Sequence, residues 1–415
     1  MQNTEQTAPP PAAGPPLLRA LRHRNYRLFF VGQLISLIGL WMQNVAQGWL
    51  VLRMTDSALL LGIVAASASL PVLLLSVPAG ALADQIPRRT VLLAAHASGI
   101  VLALLLAGLT FTNTVEVWHI IVLAALSGAT RAIEAPARQA FTIEMVGKED
   151  LLNAIALNST MFNTARTLGP AAAGLLVAAA GEGPAFLLNG LSYLAVIVAL
   201  LMMRLPPFTA PALSRRRDQL REGLQYVWHE PTVRTLLLMA GGLCLFGYLY
   251  IPLLPVFARN VFHTDAEGLG WLAAANGGGA LLAALFLAQF STQIPRGRVL
   301  LLALLCFPPC LLVFALTPAF NVAQGALLLM GFTSVLAMAL INTVIQTTVP
   351  NELRGRVMGI FVMLPLGVSP LGGLIGGILT EWSGSVQLIT AVCGLLVWII
   401  MATSARRARY LWRVQ

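Results

Sequence analysis

Residues 80–89, GALADQIPRR, separate two apolar runs that are each long enough to cross a lipid bilayer. Gly80 allows two helices to approach closely, and Asp84 ends the first of them. Arg88 and Arg89 hold the turn on the cytoplasmic side, because short cytoplasmic loops carry the excess of arginine and lysine. The stretch therefore predicts a tight cytoplasmic hairpin between two membrane helices.

Part of this hairpin is repeated in the second half of the chain. The sequence QIPR at residues 85–88 recurs at residues 293–296, and Val-Leu-Leu follows soon after both copies. An internal repeat of roughly 200 residues is typical of transporters built from two related bundles. We therefore predict a duplicated helical unit.

The composition excludes a soluble globular protein. Of the 415 residues, 58% are hydrophobic and only 10% are charged, which is more apolar surface than a soluble core can hide. The net charge of +10 does not indicate nucleic-acid binding, because almost all basic residues fall in short loops between apolar runs. The lipid bilayer is the expected partner, and nucleic acid is not.

Runs of about 20 apolar residues predict twelve membrane spans. Arginine-rich loops alternate with loops that carry only Arg53 and Arg259. By the positive-inside rule both termini are cytoplasmic, which requires an even number of spans. The predicted spans are 28–52, 59–83, 91–111, 117–137, 154–180, 184–203, 235–257, 269–290, 299–317, 322–345, 357–380 and 386–404.

These spans predict an all-α membrane protein with twelve transmembrane helices in two pseudo-symmetric six-helix bundles. Between the halves, leucine and valine recur at near-helical spacing among arginines, which is typical of an amphipathic helix on a membrane surface. The predicted parts are a disordered N-terminal tail (1–16), the first bundle (17–204), a cytoplasmic linker with the amphipathic helix (205–233), the second bundle (234–404) and a basic C-terminal tail (405–415).

Arg166 is the deepest charge of the fifth span, about twelve residues from its start and roughly 18 Å along the helix axis. An arginine does not lose its proton, so Arg166 is not a proton carrier. Two interpretations stay open. It binds an anionic substrate or a carboxylate, or it ties helices together through side chains or backbone carbonyls.

Arg131 and Glu134 lie three residues apart, on one face of the fourth span. Glu134 is acidic and lies inside a span, which makes it a candidate proton carrier. It also precedes Pro136 and lies a few residues from the predicted end of the span. That position favours a solvated pair at the membrane interface instead.

Uncharged polar side chains inside spans are candidates for a substrate cavity, or for hydrogen bonds between helices. Two pairs are four residues apart and share a helix face. The candidates are Gln43, Asn44 and Gln47 in the first span, Tyr248 in the seventh, Asn276 in the eighth, and Asn342 and Gln346 in the tenth.

Two of these stretches resemble motifs of the major facilitator superfamily. The hairpin resembles the signature loop G-x-L-a-D-r-x-G-r-r, with Gln85 and Pro87 as departures. Residues 41–51, 55–57, 135–141 and 157–174 look like the bacterial branch that includes the enterobactin exporter. In the fifth span, the antiporter motif g-x8-G-x3-G-P-x2-G-G is matched, with alanine in place of three glycines, by Ala156, Ala165, Gly169, Pro170, Ala173 and Gly174.

This resemblance implies an inner-membrane secondary transporter that exports a siderophore or drug-like compound in exchange for protons by alternating access. It implies that the first, fourth, seventh and tenth spans line the substrate cavity. It also implies that Asp84, Arg88 and a carboxylate of the fourth span, with Glu134 as the candidate, lock the bundles in the outward-open state. An importer or uniporter of the same fold stays open as an alternative.

No sequence pattern predicts an enzyme, a cofactor or a metal site. The four cysteines lie inside apolar spans, and His96 and His119 are isolated and are interpreted as packing residues. A phosphate-binding loop is missing, so transport draws on an ion gradient or runs downhill. A membrane-embedded enzyme or a lipid-remodelling relative is a weaker alternative, because the sequence contains no reactive constellation.

Overall fold

The computed structural model describes residues 16–83, 85–147, 149–205, 217–290 and 293–407, and these ranges are almost entirely helical. Outside the described residues lie 1–15 of the predicted tail (1–16), Asp84, Lys148, residues 206–216 of the linker, residues 291–292 and residues 408–415. The helices are α1 (Arg24–Thr55), α2 (Ala58–Ala83), α3 (Arg88–Phe111), α4 (Val117–Val146), α5 (Leu151–Ala180), α6 (Gly183–Met202), α7 (Arg217–His229), α8 (Pro231–Val261), α9 (Ala266–Phe290), α10 (Arg296–Leu316), α11 (Phe320–Thr348), α12 (Glu352–Ser383) and α13 (Val386–Arg407).

All of these helices except α7, which lies in the linker, correspond to the predicted spans. Eleven helices of the described chain are long and apolar enough to cross a membrane. The twelfth, α5, is 30 residues long but carries several asparagines and Arg166, which lower its hydropathy. The prediction of an all-α membrane protein is confirmed.

The predicted boundaries differ most from the structure at the end of α4. The helix continues to Val146, nine residues beyond the predicted end, with Pro136 inside it. A proline removes one backbone hydrogen bond but does not end a membrane helix whose neighbours hold it in place. Glu134 therefore lies about 18 Å from the end of α4. The expected place of Glu134 at the membrane interface stays a prediction.

The contacts between helices repeat in the two halves. In the first half α2 packs against α4 and α3 against α6, and in the second half α9 packs against α11 and α10 against α13. Between the halves, α5 packs against α9 and α2 against α12. In span numbers, the fifth span packs against the eighth, and the second span packs against the eleventh. A twofold rotation that exchanges the two bundles also exchanges these two contacts. The two pseudo-symmetric bundles are confirmed.

Glycines permit the close approach of the two bundles. A methyl group added at Gly174 of α5 would lie 2.9 Å from the Cα atom of Gly270 in α9. A methyl group at Gly62 of α2 would lie 2.9 Å from the carbonyl oxygen of Gly373 in α12. These distances are too short for a side chain, so the backbones of the two bundles are in direct contact.

Irregular turns interrupt the helices of the second bundle. A π-helical turn at Leu243–Gly247 widens α8, and another at Leu364–Val368 widens α12. The turn in α12 contains Pro365, which cannot continue the regular hydrogen-bonding pattern. Because of this turn, Pro365 and Leu366 reach a cavity in the first bundle.

Candidate functional site

Polar contacts join the bundles at the end of the molecule where α1 is followed by α2. We name this the opposite end, because it lies opposite the end with the arginine-rich hairpin between α2 and α3. Ser57 donates through Oγ to Glu381 at 3.1 Å, and the backbone N–H of Leu59 donates to the same carboxylate oxygen at 3.3 Å. Arg259 lies 3.4 Å from the carboxylate of Asp56 and donates to the carbonyl of Leu52 at 3.2 Å. These bonds link the first bundle to α8 and α12, so the opposite end is closed.

The end where α2 is followed by α3, which we name the arginine-rich end, contains the hairpin that dominates the sequence. Gly80 lies in the last turn of α2, and Asp84 lies outside the described residues. Arg88 forms an ion pair with Glu144 near the end of α4, and Arg89 donates to the carbonyl of Leu201 at 3.1 Å. The α4 carboxylate that pairs with Arg88 is therefore Glu144 rather than Glu134.

Charged contacts at the arginine-rich end do not connect the two bundles in the part of the chain that the structure describes. Arg88 and Glu144 both belong to the first bundle, and Asp150 pairs with Arg19 and His23 of the same bundle. The bundles are thus held together at the opposite end and not by described ion pairs at the arginine-rich end. This arrangement is typical of a transporter whose central cavity faces the arginine-rich end.

A cavity of about 390 Å³ lies mainly within the first bundle. Helices α1, α2, α3, α4 and α6 supply most of its wall, and α12 adds the turn that contains Pro365. Gln43, Asn44 and Gln47 of α1 line the cavity. The structure thus places these three predicted residues together on one wall.

The four predicted cavity residues of the second bundle do not line this cavity. Tyr248 packs edge-on against Phe307, with ring centroids 6.4 Å apart. Gln346 donates through Nε2 to Oδ1 of Asn342 on α11 at 2.5 Å. Asn276 takes part in a network between the bundles. Shared helix face and polarity identified these residues, but neither property specifies which cavity a side chain faces.

The charges of the cavity come from α4. Glu134 is 14% exposed and accepts from Nε of Arg138 at 2.7 Å. Arg131 also lines the cavity and donates through Nη2 to the carbonyl of Ala68 in α2 at 3.3 Å. No ion pair of Arg131 occurs among the described residues. Glu134 is the one carboxylate on the described cavity wall.

Several residues of this site were missed in the sequence. His96 of α3 is 4% exposed and lines the cavity, with its ring centroid 5.6 Å from that of Tyr193 in α6. Asn189, one turn before Tyr193, donates to Oε1 of Gln43 at 2.6 Å. The interpretation of His96 as a packing residue stays a prediction, and the structure adds that His96 lines the cavity. The available signal was the spacing of Asn189 and Tyr193, which places both on one face of α6.

Arg166 connects the two bundles. Its Nη2 donates to Oδ1 of Asn276 in α9 at 2.5 Å, and its guanidinium lies 5.8 Å from the ring centroid of Trp41 in α1. Asn276 in turn donates to the hydroxyl of Tyr250 at 2.8 Å and to the carbonyl of Leu327 at 3.2 Å. Of the two interpretations left open by the sequence, the structure displays the tie between helices.

The small residues of the α5 motif face two different neighbours. Ala165 is fully buried, and a methyl group at Gly169 would lie 2.5 Å from Cβ of Trp41 in α1. Gly174 faces α9 instead, as described above, and Pro170 lies inside the helix. The motif therefore allows α5 to pack tightly against its own bundle and against the other bundle at once.

A cluster of charges precedes α5 at the arginine-rich end. His23 lies 2.9 Å from one carboxylate oxygen of Asp150, and Arg19 lies 3.4 Å from the other. The hydrogen bond from His23, together with the nearby arginines, lowers the pKa of Asp150 below its ordinary value. Because the folded state lowers this pKa, the cluster stabilises the fold above the ordinary aspartate pKa and loses that effect as the pH falls.

Asp150→Asn is expected to lower the thermal midpoint of the purified protein at pH 7. The difference between the variant and the wild type should shrink below about pH 4, where the wild-type carboxylate becomes protonated as well. Thermal unfolding in detergent between pH 7 and pH 3.5 measures this. A difference that stays constant across the whole range would contradict the assignment.

Two related six-helix bundles, with a polar, charged cavity mainly within the first of them, are typical of a secondary transporter of the major facilitator type. The family model described as transmembrane secretion effector matches residues 16–409. The chain therefore belongs to this family of major facilitator transporters.

Known proteins with similar sequences and folds agree with this assignment. The multidrug efflux pump Tap of Mycolicibacterium fortuitum is 30% identical over 82% of this chain and 85% of its own length. The enterobactin exporter EntS of Escherichia coli O1:K1 / APEC is 27% identical over 90% of this chain and 92% of its own length. A bacterial homologue of the human lysosomal transporter Spinster, solved in an inward-facing and occupied conformation, has a TM-score of 0.72 at 14% identity, covering 93% of this chain and 97% of that structure.

Proposed function

We propose that this protein exports a small organic molecule, a siderophore or a drug-like compound, across the bacterial inner membrane in exchange for protons. The arginine-rich end is cytoplasmic in this proposal, as the positive-inside rule requires, and both termini lie on that side. Relatives that are named a multidrug efflux pump and an enterobactin exporter support the outward direction.

The observation that carries the proposal is the position of Glu134. It lies well inside a 30-residue helix, on the wall of the cavity, and 14% of its side chain is exposed. An ionisable group at such a depth is expensive in a membrane and marks a path for ions or protons. In the state closed at the opposite end, Arg138 donates through Nε to the carboxylate of Glu134.

Alternating access then couples the two movements. Substrate enters the cavity from the arginine-rich end while Glu134 is ionised. Rocking of the bundles exposes the cavity to the opposite end, where a proton neutralises Glu134 and substrate leaves. The Arg88–Glu144 pair and the Arg89–Leu201 bond stabilise the hairpin of the first bundle during this movement. The predicted lock by Asp84 remains part of this proposal for the outward-open state.

Everted membrane vesicles that contain the protein test this function. With an imposed gradient, acidic inside, a panel of fluorescent organic compounds should include members that accumulate about fivefold or more above control vesicles. Nigericin, which collapses the pH gradient, should abolish the accumulation. Equal concentrations of the compound inside and outside the vesicles, with or without the gradient, would identify a uniporter. Accumulation of the compound only with the opposite gradient would identify an importer. Either result would contradict proton antiport.

A further inference from the structure

The turn between α1 and α2 is held from the second bundle by two side chains of opposite charge. Arg259 of α8 donates through Nη1 to the carbonyl of Leu52 in the last turn of α1 at 3.2 Å. Glu381 of α12 accepts through Oε2 from the N–H of Leu59 in the first turn of α2 at 3.3 Å. A helix has partial negative charge at its carboxyl end and partial positive charge at its amino end. The second bundle therefore places a cation at the end of α1 and an anion at the start of α2.

The amino end of α2 shares its cap between the two bundles. The first N–H groups of a helix have no partner within the helix, and the side chain that precedes the helix usually accepts from them. Ser57, directly before α2, accepts through Oγ from the N–H of Leu60 at 3.3 Å. The same hydroxyl donates to Glu381 at 3.1 Å, and Glu381 accepts from the N–H of Leu59. When the bundles separate at the opposite end, Ser57 and Leu59 both lose this carboxylate.

The related helix of the second bundle, α9, is capped by a residue of its own bundle. The shift in sequence that relates the two QIPR copies also places Asp265 at the position of Ser57. Asp265 accepts through Oδ1 from the N–H of Glu267 at 3.0 Å and from the N–H of Gly268 at 3.2 Å. These are the second and third N–H groups of α9. Asp265 thus does by itself for α9 what Ser57 and Glu381 do together for α2.

The helix packing beside the two caps is closely similar. A methyl group added at Gly377 of α12 would lie 2.6 Å from the carbonyl oxygen of the first residue of α2. A methyl group added at Gly174 of α5 would lie 3.0 Å from the carbonyl oxygen of the first residue of α9. One turn further along, α12 has Glu381 and α5 has Ala178. The carboxylate that reaches across to the other bundle is therefore an addition to this seam and not a requirement of its packing.

We propose that Glu381 is the latch of the opposite end, and that it favours the closed state because its charge completes the cap of α2 only while the bundles are in contact there. In the open state water replaces the carboxylate, and opening therefore costs the difference between these two caps. Asp265 adds no such cost, because its cap lies within one bundle. This inference rests on the alternating access of the proposed function and names the residue that holds one of its two end states.

Distances between spin labels across the opposite end test the latch. With the four native cysteines replaced by alanine, Thr114→Cys before α4 and Ala319→Cys before α11 carry one label on each bundle. In double electron–electron resonance, Glu381→Ala should raise the ratio of long to short distances about fivefold. Glu381→Gln keeps an acceptor oxygen without the charge and should raise the ratio by about twofold, which also serves if the alanine variant is too unstable to purify. Distance distributions equal to those of the unsubstituted latch would overturn the proposal.

Two matched variants separate the latch from a simple loss of helix capping. Asp265→Ala removes the cap of α9 within one bundle, so it should lower the thermal midpoint and leave the distances unchanged. Ser57→Asp combined with Glu381→Ala gives α2 the kind of cap that α9 has, so it should restore the thermal midpoint while the ratio of long to short distances stays raised. Wild-type distances in this double variant, or an equal shift in Asp265→Ala, would overturn the proposal. The measurement uses neither substrate nor a proton gradient, so a failure of export in vesicles does not affect its outcome.

Discussion

Glu134→Gln is expected to abolish proton-driven accumulation of substrate in everted vesicles, with a loss of about tenfold or more. Glutamine keeps the size of the side chain and an oxygen that accepts from Arg138, but it does not bind a proton in the working pH range. Exchange of substrate between the two sides without a gradient should continue, because the cavity and its entrance are unchanged. The expected result is a transporter that still moves substrate but no longer couples the movement to protons.

The exchange measurement separates loss of coupling from loss of folding. Removing the charge of Glu134 leaves Arg138 without its ion-pair partner, so the variant should also unfold at a lower temperature. A misfolded variant would lose exchange and accumulation together. Glu149→Gln makes the same chemical change at an exposed position before α5 and should retain both activities. Full proton-driven accumulation by Glu134→Gln would show that another group carries the proton, with His96 of the cavity wall as a candidate.

The twelve helices could be predicted from the sequence because the bilayer leaves few alternatives. A run of about 20 apolar residues must form a helix to satisfy its backbone in lipid. Arginine-rich loops on one side then set the orientation, and the repeated QIPR sequence indicated two related bundles. These signals are local in the chain, and each of them is strong by itself.

The site could be predicted only in part, because it depends on depth and rotation of the helices. Pro136 looked like the end of a span, yet neighbouring helices carry α4 on to Val146 and place Glu134 well inside. Glu134 was the expected carboxylate partner of Arg88, and the observed packing selects Glu144, ten residues further along α4. His96 became part of the site because α3 turns that face toward the cavity, which the apolar sequence around it does not reveal.

The seam between α5 and α9 is the second place where a single substitution should stop transport. Gly174→Leu is expected to reduce export about tenfold or more and to lower the thermal midpoint by several degrees, because overpacking costs about 1–3 kcal/mol. A side chain there meets the Cα atom of Gly270 at 2.9 Å and the carbonyl of Ala266 at 3.0 Å. Backbone atoms cannot move aside as a flexible side chain can, so the two helices must separate. Export at matched expression in everted vesicles and thermal unfolding in detergent measure both effects.

Separation of these helices acts on the cycle as well as on stability. The seam joins the two bundles in the described state, and the proposed alternating-access cycle would open it and form it again. Gly325→Leu is the matched control, because this glycine of α11 has no neighbouring atom within 4 Å of an added methyl group. Replacing it should leave export unchanged and stabilise the helix by about 0.5–1 kcal/mol. Wild-type export by Gly174→Leu would mean that the seam does not need close backbone contact, and that the small residues of the α5 motif serve its packing against α1 alone.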